Sequence, residues 1–102
     1  MTPLERLAAT IEARGGADPA TSWTAQLLAA GPERAARKFG EEAVEAVVAA
    51  LSGSEEELCA EAADVLYHLL VMLAARGVRL DDVMAELARR EARSGIEEKA
   101  SR

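Results

Sequence analysis

Apolar residues recur along this chain at helical spacing. Leu4, Leu7 and Ile11 mark a first helix; Pro3 suits its opening turn and Gly15-Gly16 ends it. A loop rich in Asp, Pro and Ser follows at 17–22. Trp23 to Ala30 is a short apolar helical segment that Gly31-Pro32 breaks. A long helix is predicted from Pro32-Glu33 to Leu51, with Ala43, Val44, Val47, Val48 and Leu51 as its buried stripe. Gly53 fits its stop. Ser54, followed by Glu57, forms a capping box that opens the next helix. That helix runs from Glu55 to Ala75, apolar almost all round, until Gly77. A last helix opens at Leu80 or Asp81 and turns Val83, Met84 and Leu87 inward. No strand-like alternation extends beyond a few residues. The pattern predicts an all-α fold: a small bundle of four to five helices forming one domain over residues 1–102. The short link between Leu51 and Glu55 makes the two long helices a central antiparallel hairpin.

Composition narrows this picture. Half of the 102 residues are apolar, but many are Ala, and Trp23, Phe39 and Tyr67 are the only aromatics. So thin a core predicts that a second subunit supplies further buried surface. The net charge of −6 disfavours a nucleic-acid partner, because displacing counterions from phosphates takes an excess of Lys and Arg. Cys59 is the single cysteine, so neither an intramolecular disulfide nor a thiolate metal cluster is expected, and it reads as a small core residue. No apolar leader opens the chain. The longest uncharged apolar run, Val65 to Ala75, is short for a membrane span. The expectation is a soluble, cytoplasmic protein with no membrane partner.

The chemistry lies in the acids of the hairpin. Glu42 and Glu45 on one helix, and Glu61 and Asp64 on the next, are each spaced i, i+3 and project from one face. Lys38 shares the first face and His68 the second. Leu58, Ala62, Val65, Leu66 and Leu69 surround Glu61 and Asp64, so that face has little reason to meet water. A carboxylate in such surroundings is protonated, paired or metal-bound. Oxygen ligands without thiolates or a histidine pair favour Mg²⁺, or Mn²⁺ in its place. Mg²⁺ completes its octahedron with phosphate oxygens, which points to hydrolysis of a phosphoric anhydride. Glu41 or Glu42 is then positioned to orient or deprotonate the attacking water. The plainer reading is a solvated acidic face with helical ion pairs such as Lys38–Glu42.

The pattern Glu42-x-x-Glu45, fifteen residues, then Glu61-x-x-Asp64 resembles the signature of the all-α nucleoside-triphosphate pyrophosphatase superfamily. Further segments narrow the likeness: Ser22-Trp23-Thr24-Ala25, Gly31-Pro32-Glu33, Lys38-Phe39-Gly40-Glu41-Glu42, the run from Glu61 to Leu70, and the closing Arg93 to Arg102. Together they resemble the phosphoribosyl-ATP pyrophosphohydrolase family over nearly the whole chain. The resemblance implies cleavage of phosphoribosyl-ATP between the α and β phosphates, giving phosphoribosyl-AMP and pyrophosphate in the second step of histidine biosynthesis. It implies a Mg²⁺ requirement, a homodimer, and metal binding at Glu42, Glu45, Glu61 and Asp64. It makes Lys38, Lys99 and Arg102 candidates for phosphate contacts. Trp23 stands where the family more often has Tyr. The cyclohydrolase fused to this activity in many organisms is expected to be a separate protein. The rival expectations are a house-cleaning pyrophosphatase acting on free nucleoside triphosphates and a helical dimerisation module without chemistry.

Four residues carry two readings each. His68 is a partly buried histidine bonded to a neighbouring carboxylate or carbonyl, or else supports the site or contacts substrate. Lys38 pairs with Glu42 or Glu45, or meets substrate phosphate. Tyr67 packs in the core or a dimer contact with its hydroxyl on a polar partner. Trp23 is a hydrophobic plug, or a surface on which adenine stacks.

Overall fold

The computed structural model of the protein describes residues 1–91 and 93. Helix α1 spans Pro3–Ala13 and passes into a 3-10 turn at Arg14–Gly16. Helices α2 (Trp23–Ala29), α3 (Pro32–Ser52), α4 (Glu55–Ala75) and α5 (Leu80–Glu91) follow, with no strand among the described residues.

Local chemistry fixes the helix ends. Thr2 and Glu5 form a capping box at α1, and Ser22 caps α2 by accepting the Ala25 N–H. The capping box of Ser54 and Glu57 opens α4. Gly31 takes φ of 94° ahead of Pro32. Gly77, at φ of 72°, donates to the Ala74 carbonyl while Val78 donates to that of Leu73, the paired closure that lets a helix stop sharply.

The α3–α4 hairpin is the most extensive helix contact of the fold. On α3, the covered positions Ala35, Phe39, Glu42, Ala46 and Ala49 recur at alternating spacings of four and three. On α4, Glu61, Val65, His68 and Met72 do the same. This is the seam of two helices packed lengthwise, where each position faces the partner helix. Glu42 and Glu61 therefore occupy places where an apolar side chain is the rule.

The apolar core fills only one end of the hairpin. Ala8 and Ile11 of α1, Leu27 of α2, Ala35 of α3, Leu70 and Val71 of α4, and Leu80 of α5 form it. Tyr67 shares a hydrogen bond of 2.5 Å with Thr24 Oγ1, tying α4 to α2 and meeting the expectation of a polar partner. The other end, the stretch of hairpin around Gly53, is bare. The radius of gyration of 15.5 Å exceeds the ~13 Å of a compact chain this long.

Several expectations are corrected here. Val44, Val47, Val48 and Leu51 are exposed, at 55–83%, instead of buried. The small Ala residues of α3 face α4, so the larger valines point outward. Met84 and Leu87 of α5 are likewise exposed, and Cys59 stands in solvent. Trp23 is 51% exposed and plugs nothing. The α4 face beside Asp64 and Leu66 also meets water within the single chain. Finally, α4 is long and apolar enough to cross a membrane by length and composition alone, with a best-window mean hydropathy of 1.6, which the uncharged run from Val65 understated. Part of that apolarity packs in the seam against α3 and in contacts with α1 and α2, while 17% of that window is buried within the single chain.

Candidate active site

The hairpin brings Glu42, Glu45 and Glu61 together. One carboxylate oxygen from each lies within 4.8 Å of the others. Glu42 and Glu45 stand on successive turns of α3, and Glu61 reaches across from α4. The trio sits where the filled end of the bundle gives way to the bare end. One oxygen of Glu61, Oε2, is buried with no hydrogen-bond partner. An orphaned carboxylate oxygen facing two further acids is unfavourable unless a proton or a cation joins it.

The electrostatics agree. A hydrogen bond shared with Glu45 raises the pKa of Glu42 above the ordinary 4.5, with burial and the charges of Glu45 and Asp64 adding to it and His68 opposing it. Burial raises that of Glu61, helped by the charges of Glu45, Asp64 and Glu57. Asp64 thus acts on both acids from one turn along α4, although it is exposed and outside the trio.

Beside the trio, His68 is buried and donates from Nδ1 to the Asp64 carbonyl at 2.8 Å, the plainer of its two readings. A carbonyl only accepts, so Nδ1 carries the proton, and the Tyr67 ring meets the imidazole edge-on at 4.9 Å. Lys38 pairs with Glu41 at 3.3 Å, and not with Glu42 or Glu45 as expected. The i, i+3 partner wins because Glu42 turns into the seam. A groove of about 410 Å³, lined by Val44, Val48, Glu45, Glu57 and Glu61, continues from the trio toward Gly53.

The phosphoribosyl-ATP pyrophosphohydrolase family model matches residues 4–91. The chain belongs to this family. Among its pyrophosphohydrolase relatives, a phosphoribosyl-ATP pyrophosphatase of Cereibacter sphaeroides (strain ATCC 17025 / ATH 2.4.3) is 70% identical over 102 residues, covering 100% of this chain and 99% of the relative. One from Paracoccus denitrificans (strain Pd 1222) is 70% identical over 101 residues, covering 99% and 94%. One from Jannaschia sp. (strain CCS1) is 65% identical over the full length of both chains. The family match spans the whole hairpin, including Glu42, Glu45, Glu61 and Asp64. Lys99 and Arg102, expected near phosphate, lie outside the described residues.

One residue escaped the sequence reading. Arg34 stands two turns before Glu42 on α3, beside Trp23 of α2. Its spacing of i, i+4 to Lys38 was the available signal, but only the fold shows that it lines one cleft with Trp23.

Proposed function

We propose that this protein hydrolyses the α–β phosphoanhydride of phosphoribosyl-ATP, releasing phosphoribosyl-AMP and pyrophosphate, the second step of histidine biosynthesis. The observation that carries the reading is the convergence of Glu42, Glu45 and Glu61, one oxygen of Glu61 being buried without a partner. Relatives named for this activity match the chain from end to end, which supports the choice of substrate.

The donor set fits Mg²⁺, or Mn²⁺ in its place: it consists of carboxylate oxygens only, and Glu61 carries an oxygen that is buried without a partner. Glu42, Glu45 and Glu61 would hold the ion, with Asp64 adding its charge. When bound, Mg²⁺ supplies charge neutralisation for the phosphates and acidifies a coordinated water. The chain's own groups do the rest. Glu41, outside the trio, next to Glu42 in the chain and paired with Lys38, would receive the proton of the attacking water. The water oxygen bonds to phosphorus, the bridging P–O bond breaks, and pyrophosphate departs. Lys38, one turn before Glu42, offers its ammonium to the phosphate chain.

The bare end of the hairpin supports a homodimer. Val44, Val47, Val48 and Leu51 of α3, with Leu58 and Leu66 of α4, expose an apolar surface that a second copy would cover.

Turnover of phosphoribosyl-ATP with and without Mg²⁺, beside ATP and dCTP, tests the activity. Pyrophosphate release from phosphoribosyl-ATP alone, and only with the metal, is expected. Comparable release from ATP or dCTP would favour a house-cleaning enzyme. No release from any of them, and no metal-dependent rise in Tm, would leave a dimerisation module.

A further inference from the structure

The stripe of α3 that carries the acids also carries a cation track. At about 100° per residue, Arg34, Lys38, Glu42 and Glu45 fall within roughly one quarter of the helix circumference. Two surface clefts run along this track. One, of about 380 Å³, is lined by Arg34, Arg37, Lys38 and Glu41. The other, of about 210 Å³, is lined by Trp23, Gln26, Leu27, Ala30 and Arg34. Arg34 belongs to both and joins them into one path from the half-exposed Trp23 to Lys38, one turn before Glu42 of the acid trio.

The cations on this path differ in their commitments. Arg37 is held by Glu33 at 3.0 Å and Lys38 by Glu41. Among the described residues no carboxylate pairs with Arg34, although the chain carries 18 acids against 12 Lys and Arg. An unpaired guanidinium at the junction of two clefts is suited to a fork-like grip on a phosphate.

The proposed substrate has an anionic group at each end. Its triphosphate belongs at the acid trio, and a second sugar phosphate is attached through the far side of the purine. Glu42 stands eight positions after Arg34 on α3, a rise of about 12 Å, which is a length a purine between two sugars can bridge. We propose that Arg34 binds the phosphate of the base-attached sugar, and that Trp23 walls the cleft in which that sugar sits. Arg34 is then the residue that separates a phosphoribosylated purine nucleotide from ordinary ATP. This inference rests on the activity proposed above.

The test uses the reaction product, which keeps the distal sugar phosphate and lacks pyrophosphate. Titration calorimetry compares phosphoribosyl-AMP with AMP on wild type, Arg34→Gln, Arg34→Lys and, as a charge control, Arg76→Gln at the far end of α4. Wild type should bind phosphoribosyl-AMP more tightly by about tenfold or more, the scale of one hydrogen bond to a charged group. Arg34→Gln should erase that preference and raise KM for phosphoribosyl-ATP, leaving the Ki of ATP as a competitive inhibitor unchanged. Arg34→Lys should retain part of the preference and carries the test if the Gln variant loses helix content. Arg76→Gln should retain all of it. A preference that survives in Arg34→Gln, or falls equally in Arg76→Gln, overturns the assignment. Wild type that does not turn over phosphoribosyl-ATP at all defeats the proposed function instead.

Discussion

Glu42 and Glu61 face each other across the seam of two antiparallel helices, where their carboxylate oxygens approach within 4.8 Å. Both occupy positions that hydrophobic side chains fill in an ordinary hairpin. The fold tolerates this repulsion at the place where its function concentrates, a common trade between stability and activity.

Glu61→Gln should therefore melt higher than wild type without metal, since it removes a charge facing two other acids. The same substitution should abolish the rise in Tm on adding Mg²⁺. Turnover should fall by at least about a hundredfold, the upper end of what even an outer partner of a metal contributes. Thermal melts with and without Mg²⁺, beside the kinetics, check all three.

The raised pKa values of Glu42 and Glu61 fix the sign of a pH effect. A carboxyl that binds its proton more readily folded than unfolded destabilises the fold while ionised, and that loss is relieved as pH falls through the raised value. Metal-free wild type should thus close its Tm gap to a Glu42→Gln, Glu61→Gln double variant between neutral pH and the ordinary 4.5. Glu86 acts oppositely. Hydrogen bonds from Arg89 and Arg90 hold it down to about 2, so its contribution is present above 4.5 and disappears as pH falls through about 2. A gap that widens on acidification contradicts the assignment of the acid trio.

Two glycines should respond in opposite directions. A Cβ on Gly53 meets the Ala49 carbonyl oxygen at 2.9 Å, so Gly53→Ala should destabilise by about 1–3 kcal/mol. A Cβ on Gly40, within α3, meets nothing within 4 Å, so Gly40→Ala should stabilise by about 0.5–1 kcal/mol. Urea titrations of both variants distinguish steric closure of the hairpin turn from general intolerance along α3.

Leu51 is 83% exposed on the bare hairpin end. Leu51→Asp should yield a monomer in sedimentation experiments and remove the dependence of Tm on protein concentration. An unaltered sedimentation coefficient would contradict the proposed dimer contact at this end.

Much of this architecture was legible in the residues. The predicted bounds of α4 agree with Glu55–Ala75, because Ser54, Glu57 and Gly77 act through local chemistry. Helix periodicity identified an apolar face on α3 but not what it faces. Val44, Val47 and Val48 carry the stronger signal, yet the weaker Ala35, Ala46 and Ala49 make the seam, since small side chains let two helices approach. The acids were legible through their spacing; the meeting of Glu42, Glu45 and Glu61 depended on hairpin register. Arg34 was not legible as a site residue. Surface arginines on helices are common, and only the placement of α2 sets Trp23 beside this one.

A core confined to one end divides each long helix into an anchored half and a half that borrows its order. In the Leu51→Asp monomer, amide exchange should run slowly near Val71 and Ala35 and quickly near Val48 and Cys59. The acid trio lies on that border, so a ligand gripping both helices there acts as a rivet. It would extend protection toward the loose end without adding a single apolar contact.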